Sequence, residues 1–254
     1  MDWCYALASV TGSSHIRAGT RLQDAKQGFV VTAPQGDSRF VAIVSDGAGS
    51  AEFGGQGASI VCRTMTVQAR DYLRTHADLP DNDVIRSWLD IARDRICLAA
   101  ARRNTTPREF AATMILLVAS AGEIVTAHIG DGAIVARERD SFAWSVLSAP
   151  HNGEYASTTY FVTDDPHPVL RISRLENIFS SLAAFSDGIE SLVLDSVSGT
   201  ASPAFFTPMA RPLDASLVLG KDLALSKSLA SFLAGDRLNE RTDDDKTLII
   251  AVTK

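Results

Sequence analysis

Cysteine is scarce in this 254-residue chain. Cys4, Cys62 and Cys97 stand far apart in apolar surroundings without Cys-x-x-Cys spacing. That excludes a disulfide framework and a cysteine-ligated zinc site, and predicts reduced, buried thiols. Positive charge is also in deficit: 24 Lys and Arg face 30 Asp and Glu, a formal net charge of −6. A surface of that balance suits neither nucleic acid nor an anionic membrane. No run reaches the ~18 apolar residues of a membrane span. The opening MDWCYALASV carries an acid where a secretory signal carries a basic segment. Solenoid repeats and low-complexity linkers are absent as well. What is there, 46% hydrophobic and 21% charged residues, suffices for a sizeable core. The expectation is a soluble cytoplasmic protein of one large domain or two small ones.

The stretch around which the chain is organised runs from Arg39 to Gly57, RFVAIVSDGAGSAEFGGQG. Phe40 to Val44 is a short apolar, partly β-branched run and predicts a buried strand. It stops at Ser45-Asp46-Gly47, and four more glycines follow within ten residues. An aspartate at the mouth of a buried strand, followed by Gly, leaves both carboxylate and carbonyl open to a ligand. Oxygen donors of this kind suit Mg²⁺ or Mn²⁺. A hairpin turn explains an isolated Asp-Gly equally well.

Taken in order, Trp3 to Val10 predicts an opening strand and Gly12 to Ala25 a polar loop. Gly28 to Ala33 predicts a second strand, which would bring Asp24 and Asp46 to the same end of one sheet. Helical spacing follows from Gly57 to about His76. Leu79-Pro80-Asp81-Asn82-Asp83 breaks it and offers an N-cap to a second helix reaching about Arg103. Two such helices would cover one sheet face. Phe110 to Ala119 predicts an apolar strand that returns, after a tight turn, as Ile124 to Ile129. Strands are also expected at Ala133 to Arg137, Phe142 to Leu147, Ile178 to Phe185 and Thr247 to Val252. His151 to Pro168 predicts an irregular surface excursion, Ser202 to Pro212 a proline-rich loop, and Leu223 to Leu233 an amphipathic helix.

One device recurs. Asp46-Gly47, Asp131-Gly132 and Asp187-Gly188 each end an apolar strand, and Asp244-Asp245 precedes one. Carboxylates gathered at strand ends repel one another and raise each other's pKa, so a divalent cation is the natural compensation. With two ions, a bridging water becomes a nucleophile suited to in-line attack on a phosphoryl group.

The ordered set GTRLQDA, VSDGAGS, FAATMILLV, HIGDG, FSDGIE and TDDDKTLIIAV resembles the metal-dependent PP2C-type (PPM) Ser/Thr protein phosphatases. It is most similar to their compact bacterial branch, whose first motif reads QDA. The likeness spans Gly12 to Val252, and it implies a single PP2C-like domain over residues 1–254. The implied fold is α+β, a four-layer α-β-β-α sandwich of two antiparallel sheets flanked by helix pairs. The implied activity is hydrolysis of phosphoserine and phosphothreonine in proteins by a water activated between two Mn²⁺ or Mg²⁺ ions. By the same resemblance Asp46 bridges both ions, Gly47 offers its carbonyl, and Asp187 and Asp244 complete the other site. Asp131 helps to hold a third, weaker ion, Asp24 of the acidic first motif is a further metal ligand, and Thr113 is structural. The implied partners are a phosphorylated protein substrate and a cognate Ser/Thr kinase.

Three departures stand out. Gln23 occupies a place where many members carry a metal-binding Glu. The usual phosphate-binding Arg falls on Gly19, leaving Arg17 and Arg21 on either side as candidates. Asp245 replaces a common Asn. Gln23 and the displaced Arg motivate an alternative reading, a weakened phosphoprotein-binding or scaffold module. A third reading is hydrolysis of a small phosphoester or a nucleotide. His15 and His151 are expected as hydrogen-bonding surface residues rather than general acids. Arg93, Arg95, Arg102 and Arg103 predict a solvated helix face, and Asp164-Asp165 a plain loop.

Overall fold

The computed structural model describes residues 1–151, 159–195 and 199–254. Its first half runs β1 (Trp3–Val10), α1 (Ser13–Ala18), β2 (Ala25–Thr32), β3 (Ser38–Ser45), α2 (Gly54–Thr75) and α3 (Asn82–Arg102). A 3-10 turn, Pro107–Phe110, leads to β4 (Met114–Ala119), β5 (Glu123–Ile129), β6 (Ala133–Glu138), β7 (Trp144–Ser148) and β8 (Arg171–Glu176). The chain continues through β9 (Phe179–Phe185), α4 (Asp187–Val193), α5 (Pro203–Ala215), β10 (Gly220–Lys221), α6 (Leu223–Leu233), α7 (Asp236–Asn239) and β11 (Lys246–Thr253).

The strands form two sheets, ordered β10-β1-β11-β9-β6-β7 and β2-β3-β4-β5-β8. Pairing is antiparallel except for the two-residue parallel contact of β10 with β1. β4, MILLVA, is buried at every position. A strand apolar on both faces needs cover on both, and the architecture supplies it. Trp3, Tyr5, Phe40, Leu117, Leu182 and Ile249 fill the space between the sheets. Val61, Met65, Leu73 of α2 and Ile85, Trp88, Ile96 of α3 close the outer face of the β2–β8 sheet. Phe206 and Leu213 of α5 and Leu229 and Leu233 of α6 close the other. Each fully buried side chain of this size contributes about 1.5–3 kcal/mol. The result is the four-layer α-β-β-α sandwich that the motifs implied. Among the described residues no helix is long and apolar enough to cross a membrane.

The β2–β3 register sets Ala25 opposite Ser45, so Asp24 and Asp46 do share one sheet end. Asp81 caps α3, its carboxylate accepting from Val84 N at 2.8 Å. Other expectations need correction. Within the loop expected at Gly12 to Ala25, Ser13–Ala18 is a short helix ended by Gly19 at φ 69°. The strand expected from Phe110 begins only at Met114, because Pro107–Phe110 is wound as a 3-10 turn. Ser202 to Pro212 is helical: Pro203 takes the first turn, where no N–H is needed. Burial of Phe206, Ala210 and Leu213 offsets the interior Pro208 and Pro212. β8 was not anticipated. Cys97 is exposed, unlike Cys4 and Cys62. The excursion expected at 151–168 is described only outside residues 152–158.

Arg93 is no solvated side chain either. Its Nη1 donates to the carbonyls of Val162, at 2.6 Å, and Asp164, at 2.9 Å, and so ties α3 to the chain after β7. Arg95 donates to Thr64 Oγ1 at 3.1 Å, and Arg103 to Gln56 Oε1 at 2.9 Å.

Candidate metal centre

Four strand ends meet over one cavity of about 290 Å³, lined by Asp46, Gly47, Asp131, Asp187 and Asp244 together with His15, Gln23 and Thr113. Carboxylate oxygens of Asp46, Asp131 and Asp187 lie within 4.8 Å of one another, as do ligating atoms of His15, Asp244 and Asp245. Asp46 leaves β3 and is pinned by Thr113: its N–H donates to Thr113 Oγ1 at 3.0 Å, and its carbonyl accepts from Thr113 N at 2.8 Å. Thr113, expected as a structural residue, thus anchors the Asp46 main chain and also lines the cavity. Asp131 sits between two glycines in left-handed backbone, Gly130 at φ 96° and Gly132 at φ 78°, a conformation side chains resist. Thr159 Oγ1 donates to Asp131 Oδ2 at 2.6 Å. Asp187 does not close a turn; it opens α4.

The glycine after each of these aspartates has a packing reason beyond access for a ligand. A Cβ on Gly47 would lie 2.2 Å from the Gly54 carbonyl carbon, and one on Gly188 only 1.8 Å from the Asp245 carbonyl oxygen. Backbone from α2 and from the start of β11 therefore presses directly against the aspartate-bearing turns.

Asp24 is placed differently. It is buried, and its Oδ2 accepts from Ser186 Oγ at 2.8 Å and Thr247 Oγ1 at 2.6 Å. Its Oδ1 is buried without a hydrogen-bond partner among the described residues, and the residue lines a separate groove rather than the cavity of Asp46 and Asp187. Asp245 is likewise engaged. Its Oδ1 accepts from Gly12 N at 2.7 Å and lies 2.9 Å from His15 Nδ1, while Oδ2 accepts from Gln23 N at 2.6 Å. The residue standing for the family's Asn thus clamps the whole first-motif loop to β11. His15 is drawn from the expected surface position to the cavity wall. Neither Arg17 nor Arg21 lines the cavity; Arg17 pairs with Asp243 at 3.0 Å on the rim, both side chains being well exposed.

Electrostatics make this cluster expensive without a cation. Burial, then the charges of Asp24 and Asp187, push Asp46 well above the usual carboxylate range. Burial, then Asp131, lifts Asp187 to about 7. Burial also raises Asp131 and Asp24. Asp187 Oδ1 is buried without a hydrogen-bond partner among the described residues. An orphaned carboxylate oxygen among all-oxygen donors fits a hard divalent ion such as Mg²⁺ or Mn²⁺. Sequence reasoning missed Glu190, one turn into α4 from Asp187, whose Oε2 accepts from Gly132 N at 3.1 Å and steadies the Asp131 turn. It missed Ser186 and Thr247 as well. The FSDGIE motif held the signal for Glu190, since residues three apart share a helix face.

Comparison with known proteins agrees with this arrangement. The family model described as protein phosphatase 2C matches residues 11–234. The serine/threonine-protein phosphatase 3 of Escherichia coli (strain K12) is 34% identical over 258 residues, covering 99% of both chains. The serine/threonine phosphatase Stp1 from Staphylococcus aureus superposes with a TM-score of 0.64 at 15% identity, over 98% of this chain and 94% of that one. The catalytic domain of the serine threonine protein phosphatase PstP, solved in complex with two manganese ions, gives 0.59 at 18% identity over 99% and 98%. Sheet order, the converging aspartates and a match covering most of the sequence lead to one assignment: the chain belongs to the protein phosphatase 2C family.

Proposed function

We propose that this protein hydrolyses phosphoserine and phosphothreonine in proteins at a two-ion Mn²⁺ or Mg²⁺ centre, in the cytoplasm. One observation carries the reading: three carboxylates with oxygens within 4.8 Å of one another, one of them keeping a buried, unpartnered oxygen. Asp46 and the Gly47 carbonyl would hold one ion, Asp46, Asp187 and Asp244 the other, and Asp131 with Asp187 a third, weaker one. Bound there, the ions supply Lewis-acid polarisation of the phosphoryl group and a water acidic enough to attack it near neutral pH.

The chain's own residues do the positioning. Thr113 holds the Asp46 main chain by two bonds, so the backbone that carries this carboxylate, which would bind both ions, is placed before substrate arrives. Asp24 would act on the ions through the charge it sets beside Asp46, its own Oδ2 being taken up by Ser186 and Thr247. Among the arginines, Arg17 is the phosphate ligand of choice, because its partner Asp243 lines the cavity. An exposed pair of this kind holds the guanidinium by no more than ~1 kcal/mol, so it swings inward at small cost. A cognate Ser/Thr kinase would supply the substrate.

Phosphate release from a phosphothreonine peptide in millimolar Mn²⁺ tests the reading, with Asp46→Asn and Asp187→Asn alongside wild type. Turnover that stops on chelation, returns with Mn²⁺ and falls at least 100-fold in both variants is expected. A folded wild type inert with every divalent metal would overturn it and favour a phosphoprotein-binding module.

A further inference from the structure

A second concavity, of about 560 Å³, opens between β2 and α2 on the other side of the first-motif loop from the metal cavity. Gln23 lines the one, and Asp24 the other. Its chemistry is opposite in sign. Lys26, Arg63 and Arg70 line it, and its one acid, Asp24, is committed to Ser186 and Thr247. Among the described residues no ion pair takes up any of the three cations. Lys26 is half-buried, its ammonium pushed below the usual lysine range by burial and then by the charge of Lys221. Three cations outside any ion pair, gathered on a chain of net charge −6, form a local field that attracts anions.

The shape favours an extended polypeptide over a small ion. The lining α2 residues run from Ser59 to Arg70, about 16 Å of helix at 1.5 Å per residue. That matches about five residues of extended chain. β2 is an edge strand, and an edge can take up a further strand, here ahead of Gly28, whose carbonyl already accepts from Tyr5 Oη at 2.8 Å.

We propose that this groove docks an acidic segment of the phosphoprotein substrate, laid along β2 with its carboxylates toward Lys26, Arg63 and Arg70. The proposal rests on the phosphatase reading for its substrate, but its test does not. The groove would select phosphosites with an acidic flank, while leaving the chemical step at the metal cavity unchanged.

Fluorescence anisotropy with a labelled, unphosphorylated peptide of five consecutive acids, against its Gln counterpart, reads the groove without turnover. Wild type should bind the acidic peptide at least tenfold more tightly, and lose tenfold in Arg63→Glu, in Lys26→Gln, and on raising salt from about 50 to 250 mM. Arg63 is exposed, so its reversal leaves folding intact. Arg237→Glu on the distant α7 should bind as wild type does. In turnover, the groove variants should raise KM tenfold for a phosphothreonine peptide with an acidic flank, with kcat and p-nitrophenyl phosphate hydrolysis unchanged. Equal binding of the two peptides, or unaltered binding in Arg63→Glu and Lys26→Gln, would overturn the inference. Either result would stand even if the phosphatase reading failed, since turnover is scored separately.

Discussion

Changing Asp245 to Asn probes whether this chain needs a carboxylate where an amide is common. Both Asp245 oxygens accept from backbone N–H groups, Oδ1 from Gly12 and Oδ2 from Gln23. An Asn keeps one oxygen and puts an NH₂ in place of the other, so one of those two N–H groups must face a donor. A charge-assisted bond of this kind is worth about 1.5–3 kcal/mol. Against the loss stands some relief of repulsion on buried Asp24, where Asp245 is the smallest of the contributions. The bonds win, and the expected net destabilisation is about 2 kcal/mol. For a domain of this size that lowers Tm by about 4–8 °C, and Asp245→Ala, losing both bonds, should fall further. Thermal melts in EDTA and in millimolar Mn²⁺ check it, with the same drop expected in both. A Tm equal to or above wild type would refute the argument, and a drop confined to Mn²⁺ would make Asp245 a metal ligand instead.

Two further outcomes concern protons. Since burial and neighbouring carboxylates hold Asp187 near 7 and Asp46 also high, protons compete with the metal below that pH. Apparent Mn²⁺ affinity should fall about tenfold per pH unit under ~7, read by calorimetry in buffers of different ionisation enthalpy; a flat profile from pH 5.5 to 7.5 contradicts this. His128 titrates in the opposite sense, because burial lowers it to about 4. With its folded pKa below the unfolded 6.5, the neutral ring contributes stability in full above pH 6.5 and loses it as pH falls towards 4. Denaturant melts should show the gap between wild type and His128→Gln narrowing by about 3 kcal/mol across that window, whereas a constant gap would show that the ring does not titrate on unfolding.

How much the sequence disclosed depended on how local the cause was. The strands that end in Asp-Gly were readable because burial and turn are neighbours in the chain, and so were α2 and α3 from their apolar spacing. α5 was hidden because prolines mark a loop locally, while Phe206 and Leu213 earn their helix only by packing on a distant sheet. Cys97 was misplaced because apolar neighbours in sequence say nothing about which helix face a residue takes; Ile96 points inward, and Cys97 does not. Arg93 looked solvated because its acceptors lie about seventy residues away. The same holds within the site. Asp46, Asp131, Asp187 and Asp244 announced themselves by repetition, whereas the duties of Asp245 and Asp24 depend on partners more than 160 residues distant.

β11 sits between β1 and β9 in the middle of its sheet, and the turn before it delivers Asp244 and Asp245. Until residues 244–253 have docked, β1 and β9 have no common neighbour, Thr247 cannot bond to Asp24, and the first-motif loop has nothing to clamp it. Contacts spanning over 220 residues close slowly. The centre therefore cannot assemble before β11 docks, and a chain cut anywhere ahead of Asp244 is expected to lose its sheet and its chemistry together. Such fragments would expose unpaired strand edges and be drawn to aggregation rather than to metal.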